Sequence, residues 1–308
     1  MNSIGLGIHG TGMAADHHAY ALAKSSKFSL VAVSDDKVAS SRDYARRHHV
    51  DKYYGDLEYL LSDGSVDIVI VASPTPYHSS IFPYIASTGR SVIMETPLAS
   101  NLEDARKIVK TAEKEGIFLF PVSQMPSEPL MKYVYSLIKG GTLGRIEEYT
   151  LSWSFSSPVK RWMSNWGEKE KCSKRGLFLE SASPAFDLVS FLFDKERVTW
   201  CKEIERGVEV SFGKGRLSIE DGGSGFSFFI RGERGEIEGK NGKLISVKID
   251  REDGKRFDTE TIKSPYSPLP GWYDDVYSAL ESGVWSEEKY KLPLKSLEFI
   301  LETGKYFG

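Results

Sequence analysis

The chain is short of cysteine, of long apolar runs, of net positive charge and, beyond its first quarter, of histidine. It has 2 cysteines, Cys172 and Cys201, in no C-x-x-C spacing. That excludes a disulfide framework and a cysteine-built zinc site, and no metal is expected. All 6 histidines, His9, His17, His18, His48, His49 and His78, fall within the first 78 residues, so the later part of the chain must work without imidazole. A net charge of −3 argues against a nucleic-acid partner. No basic stretch leads into an apolar one at the N-terminus, as a secretory signal requires. The longest strongly apolar run, around Val66 to Ala72, is far too short to span a bilayer. There is no internal repeat, low-complexity tract or long linker. The expectation is a soluble, cytoplasmic protein with no membrane partner.

What is present is enough for two cores, since 308 residues with 40% hydrophobic content suggest roughly two domains. The chain opens on Ile4-Gly5-Leu6-Gly7-Ile8-His9-Gly10-Thr11-Gly12-Met13-Ala14-Ala15, an apolar run that breaks into a glycine turn and then a helix. Gly10-x-Gly12-x-x-Ala15 has dinucleotide spacing: the first glycine permits a tight turn, the second lets backbone approach a pyrophosphate, and the small third residue lets helix and strand pack closely. A plain strand-to-helix connection is the simpler explanation of the turn alone. Asp35 follows about 20 residues later, where a carboxylate accepts hydrogen bonds from ribose hydroxyls and repels a 2′-phosphate, favouring NAD over NADP. A helix cap or turn aspartate explains it equally well in isolation.

Helical and strand patterns then alternate: helix Val38 to His48, a short strand near Tyr53, helix Leu57 to Leu61, strand Asp67 to Ala72, helix Tyr77 to Thr88, strand Ser91 to Met94, helix Leu102 to Glu115 and strand Phe118 to Val122. Such alternation predicts a doubly wound parallel sheet, with ligands at the carboxyl ends of its strands. The residues there are Gly10 to Gly12, Asp35, Ser73-Pro74-Thr75, Glu95-Thr96-Pro97 and Val122-Ser123-Gln124. From residue 123 the character changes. One amphipathic helix, Leu130 to Ile138, precedes strand-like runs at Glu147 to Phe155, Glu209 to Phe212, Arg216 to Ile219, Ser227 to Gly232, Gly235 to Glu238 and Leu244 to Ile249, predicting an antiparallel sheet. The tail from about 272 to 308 reads as helical. Two domains are therefore expected, 1–122 and 123–308.

Four motifs, in order and spacing, resemble the glucose-fructose oxidoreductase / inositol dehydrogenase / MocA (Gfo/Idh/MocA) family: Gly10-Thr11-Gly12-Met13-Ala14, Ala72-Ser73-Pro74-Thr75-Pro76-Tyr77-His78, Glu95-Thr96-Pro97-Leu98-Ala99 and Leu143-Gly144-Arg145-Ile146. The similarity runs on through Gly232-Glu233-Arg234-Gly235-Glu236-Ile237 and the helical tail. It implies an N-terminal Rossmann domain for NAD(P) and a C-terminal α+β domain with a large open antiparallel sheet for substrate and oligomerisation. The resemblance makes Gly10, Thr11, Gly12, Met13, Asp35, Ser73, Pro74, Thr75, His78, Glu95 and Pro97 the cofactor-binding candidates, with NAD preferred to NADP. It also implies a small hydroxy or keto substrate, such as a sugar or polyol, and a homo-oligomer, dimer or tetramer, formed through the open face of the second sheet.

Two positions depart from the family pattern. Where the family reads Glu-Lys-Pro, this chain reads Glu95-Thr96-Pro97, and threonine is too short to take the lysine's place beside the reacting oxygen. In Arg175-Gly176-Leu177-Phe178-Leu179-Glu180-Ser181-Ala182-Ser183-Pro184-Ala185-Phe186-Asp187, Glu180 falls on the family's catalytic aspartate and Pro184 on its catalytic histidine. A positioned acid or base is worth roughly 10²–10⁴-fold in rate. Glu180 and Thr96 are thus the catalytic candidates, Glu180 because an apolar cleft raises a carboxyl pKa; a purely structural Glu180, holding a helix N-terminus or Arg175, stays open. Asp187 reads as structural and His78 as a positioning residue. Lys160, Arg161 and Arg175, flanking Trp162 and Trp166, form either a substrate mouth or a solvated basic loop. The preferred reading is an oxidoreductase with atypical acid–base residues, and the biliverdin reductases offer a family precedent without the lysine. The alternative is a non-catalytic dinucleotide sensor acting through a protein partner, as the yeast galactose repressors that resemble this family suggest.

Overall fold

The computed structural model describes residues 3–155, 182–193, 196–205, 207–222, 225–241, 243–250, 256–258, 269–284 and 288–307. The chain divides into two compact units, one of residues 1–124 with 269–294 and the other of residues 125–268 with 295–308.

In the first unit, strands β1 (Ile4–His9), β2 (Phe28–Ser34), β3 (Lys52–Tyr54), β4 (Ile68–Val71), β5 (Ser91–Met94) and β6 (Leu119–Pro121) form a parallel sheet in the order β3-β2-β1-β4-β5-β6. All of Ile68–Val71 is buried, as expected for a strand covered on both faces. The connecting helices are α1 (Met13–Leu22), α2 (Val38–His48), α3 (Leu57–Ser62), α4 (Thr75–Ala86) and α5 (Leu102–Glu115). The chain leaves β1 in one direction to β2 and later returns on the other side to β4. That reversal is the switch point at which ligands bind in open α/β sheets.

Helix α8 (Leu269–Ser282) belongs to this first unit, whereas the sequence pattern grouped the tail with the second domain. The reason is its apolar face. Trp272, Tyr273 and Val276 are buried in one core with Phe28, Tyr44 and Phe120, and Phe28 meets the rings of Tyr273 and Tyr277 at 5.4 and 5.9 Å. Burying side chains of this kind is worth roughly 1.5–3 kcal/mol each.

The second unit contains α6 (Pro129–Lys139), α7 (Ser183–Leu192), part of α9 (Glu288–Gly304) and eight strands: β7 (Ile146–Phe155), β8 (Val198–Ile204), β9 (Gly207–Phe212), β10 (Gly215–Asp221), β11 (Gly225–Gly232), β12 (Gly235–Lys240), β13 (Lys243–Asp250) and β14 (Arg256–Asp258). Their order is β14-β13-β12-β11-β7-β10-β9-β8. Neighbours are antiparallel except β7 and β10, which run parallel, so the sheet is mixed rather than purely antiparallel. Phe226, Phe228 and Ile230 alternate inward along β11 and share a core with α6 and α7. Gly215 is required by packing, because a Cβ there would lie 1.9 Å from the Tyr149 ring. The opposite face carries a charged row beside exposed apolar side chains such as Trp200 and Ile245. Glu148, Arg231, Glu236 and Lys248 stand in register on β7, β11, β12 and β13 as a row of alternating charge, with ion pairs of 2.8 Å between Arg231 and Glu148 and 2.9 Å between Lys248 and Glu236. Among the described residues, no helix is long and apolar enough to cross a membrane.

Candidate dinucleotide site

The carboxyl edge of the first sheet gathers the residues that the sequence put there. Gly10 has φ +91°, and a Cβ on it would lie 2.5 Å from the Ser73 amide nitrogen, so both the turn and its approach to β4 need glycine. Gly12 is the N-cap of α1 and supplies no side-chain cap, whereas Asp56 and Asn101 accept from the backbone of their own helices α3 and α5. A Cβ on Gly12 would meet nothing within 4 Å. The first turn of α1 therefore presents N–H groups beside open space, the arrangement in which helix ends hold phosphate. Met13, its first residue, is partly exposed.

Asp35, at the end of β2, faces this turn. Its Oδ2 accepts hydrogen bonds from the Thr11 amide at 2.9 Å and the Thr11 hydroxyl at 2.8 Å, and its Oδ1 from the Lys37 amide at 3.0 Å. The carboxylate thus fixes the loop and sets a negative charge beside it.

Past β4, Pro74 caps α4 and Thr75 is buried in its first turn. The Ser73 and Ser123 hydroxyls, after β4 and β6, are buried without a hydrogen-bond partner among the described residues. His78 is buried, its Nε2 lying 2.8 Å from the Ser73 carbonyl and its Nδ1 3.2 Å from the Pro97 carbonyl. Burial pushes its pKa below the ordinary imidazole value, opposed by the Ser73 contact and the Glu95 charge. His78 thus braces the ends of β4 and β5 against each other. Pro97 follows Thr96 across a cis peptide, and the Thr96 hydroxyl lies 3.4 Å from the Val122 carbonyl.

Two residues of this edge escaped the sequence reading. His18 of α1 meets Glu95 through Nε2 at 2.9 Å and the Tyr273 hydroxyl of α8 through Nδ1 at 2.7 Å. An apolar helix face offers no cue that one of its members is an imidazole with polar partners, and Tyr273 lies 255 residues away in the chain. Glu180, Lys160, Arg161, Trp162, Trp166 and Arg175 lie outside the described residues. Pro184 sits in the first turn of α7, and Asp187 is buried further along that helix.

These features fit a dinucleotide: a glycine cradle that a Cβ would fill, an open helix N-terminus, a carboxylate at the end of β2 and buried hydroxyls along the edge. Residues 4–122 also match the family described as "Oxidoreductase family, NAD-binding Rossmann fold", the Gfo/Idh/MocA family. That match covers less than half of the chain, and over it the chain is similar to the family. In addition, 119 residues are 28% identical to trans-1,2-dihydrobenzene-1,2-diol dehydrogenase of Macaca fuscata fuscata, covering 39% of this chain and 36% of the relative. The matched residues span between about a third and a half of the length of the curated relatives. Over the whole chain the fold is similar to that of an oxidoreductase from Agrobacterium radiobacter in complex with NAD+, L-tartaric acid and magnesium, with TM-score 0.79, 15% identity and coverage of 99% of this chain and 96% of that one. It is also similar to the WlbA dehydrogenase of Bordetella pertussis in complex with NADH and UDP-GlcNAcA, with TM-score 0.78, 19% identity and coverage of 99% and 95%. At these identities the likeness is one of fold.

Proposed function

We propose that this protein is an NAD(P)-dependent oxidoreductase that transfers hydride to or from a small hydroxy or keto compound, a sugar, polyol or derivative, using acid–base groups other than the family's lysine and histidine. The observation that carries this reading is the Gly10–Gly12 turn at the open N-terminus of α1, with Asp35 held against it. Backbone N–H groups after Gly12 would hold the pyrophosphate, with Thr11 and Met13 flanking it. Asp35 would accept the adenosine ribose hydroxyls and disfavour a 2′-phosphate, which makes NAD the preferred form. Ser73, Pro74, Thr75, Glu95 and Pro97 would line the nicotinamide end, with His78 bracing them. The bound nicotinamide supplies the hydride chemistry, and the protein contributes position and proton management.

Thr96 offers one neutral hydroxyl at that edge. Glu180 stays in the proposal as the acid–base candidate of the second domain. The substrate class draws support from what the relatives are named for or crystallised with: a diol, a hydroxy acid and a sugar-nucleotide acid. Homo-oligomerisation through the outer face of the second sheet belongs to the same proposal. Because that face carries the Glu148-Arg231-Glu236-Lys248 row, such contact would be polar and salt-sensitive. A cytoplasmic setting is consistent with the scarcity of cysteine.

Stopped-flow mixing of the NADH-loaded protein with keto sugars, keto acids and bilins tests the activity, and oxidation of bound NADH by a member of the panel is expected. A second reading, a dinucleotide-binding sensor without turnover, draws support from Thr96, whose hydroxyl is directed to the Val122 carbonyl. Tight NADH binding with no oxidation by any compound, together with an NAD-dependent protein partner in native pull-downs, would favour the sensor.

A further inference from the structure

The cofactor and substrate roles above leave His18 without a use. It is fully buried in α1, and side chains rather than backbone groups meet both its ring nitrogens, Glu95 on Nε2 and Tyr273 on Nδ1. The three residues come from α1, the end of β5 and α8, all within the first unit. Burial, and next the charge of Glu95, hold the Tyr273 phenol pKa well above its ordinary value, so its O–H donates to Nδ1. The imidazole proton then sits on Nε2 and is donated to Glu95.

Glu95 is the outward end of this chain of hydrogen bonds. Its side chain keeps 24% of its surface exposed while that of His18 keeps none. An imidazole and a carboxyl joined by a 2.9 Å hydrogen bond share their protons as a pair rather than as separate groups. Of the titratable groups near it, burial and then the charge of Asp16 push the Tyr44 phenol on α2 up, and burial pushes the His78 imidazole on α4 down. Thr96 has no group that ionises near neutral pH, and the described part of the second unit has no histidine.

We propose that His18 and Glu95 form the proton-holding pair of the dinucleotide site, with Tyr273 fixing the imidazole tautomer, and that the pair's proton is linked to the charge on the nicotinamide ring. The inference rests on the dinucleotide reading above and adds residues to it. An oxidised ring carries one positive charge that a reduced ring lacks. A cation beside Glu95 favours the deprotonated, net negative pair, and a neutral ring lets the proton stay.

The test is proton release on binding NAD+ or NADH to the full chain, measured by calorimetry in buffers of different ionisation enthalpy across roughly pH 5 to 8, where imidazole ordinarily titrates. NAD+ is expected to release more protons than NADH, and the ratio of NAD+ to NADH affinity to rise with pH by at most about tenfold per unit. His18→Gln keeps an amide donor for Glu95 but cannot hold a proton, so its two proton counts should become equal and the ratio flat. Tyr273→Phe should move the pH at which the difference is largest. If His18→Gln does not fold, Glu95→Gln must abolish the same difference. Equal proton counts in the unmodified protein, or a difference that survives either glutamine variant, overturn the proposal with the dinucleotide reading intact. If neither dinucleotide binds, the underlying reading falls and the linkage falls with it.

Discussion

Gly10 carries the most demanding geometry of the candidate site. An alanine there would have to hold φ near +91° and place its Cβ against the Ser73 backbone. The left-handed backbone alone costs about 1–2 kcal/mol. Gly10→Ala should therefore lower the thermal midpoint and weaken NADH binding together, while Gly12→Ala, with open space around it, should leave the midpoint nearly unchanged; fluorescence melting checks both. His9 and His78 make the fold acid-sensitive in a defined window. Burial lowers both pKa values from 6.5, so below that value the unfolded chain binds more protons than the folded one. Their contribution to stability is complete above pH 6.5 and is lost as pH falls through the lowered values. Melting between pH 7.5 and 5 should show a falling midpoint, with a smaller fall in His78→Gln. Single residues were legible where a backbone rule singled them out, as at Gly10. His18 and Tyr273 were not, because their meaning lies in a contact between remote segments.

Regular alternation made most elements of the first unit legible: helices Val38–His48 and Leu102–Glu115 and strand Ser91–Met94 have the bounds that periodicity gave them. Strand β8 escaped because Thr199, Trp200, Lys202 and Glu203 are all exposed, leaving no apolar alternation to read. Strand β14 is only 3 residues long. Helix α8 was legible as a helix but not in its placement, since an apolar stripe does not say which core it enters. Trp272 tests that placement. Trp272→Ala removes a side chain that is 3% exposed in the core of the first unit, and truncations of this kind cost about 3–5 kcal/mol. Hydrogen exchange should show protection lost in β1, β2 and α1 and retained in β7, β10 and β11. Loss confined to the second sheet would contradict the assignment.

For the whole molecule, the fold class followed from the change of pattern near residue 123, and the boundary between compact units falls after Gln124. The charged row on the second sheet's outer face did not follow, because a register of four strands, not any one of them, builds Glu148-Arg231-Glu236-Lys248. If oligomers form through it, sedimentation should show them dissociating as salt rises from 0.05 to about 0.5 M, and Arg231→Glu should dissociate them at low salt; oligomers indifferent to both changes use another surface. The central claim is that the glycine turn, the open end of α1 and Asp35 together hold a nicotinamide dinucleotide. Titration of the full chain with NADH and NADPH, followed by nicotinamide fluorescence, tests it most directly. The account predicts saturable binding of one NADH per chain, weaker binding of NADPH, and at least a tenfold loss of NADH affinity in Asp35→Ala, in line with the roughly 1.5–3 kcal/mol of a hydrogen bond to a charged group. Absence of NADH binding, or NADH affinity unchanged in Asp35→Ala, would contradict it.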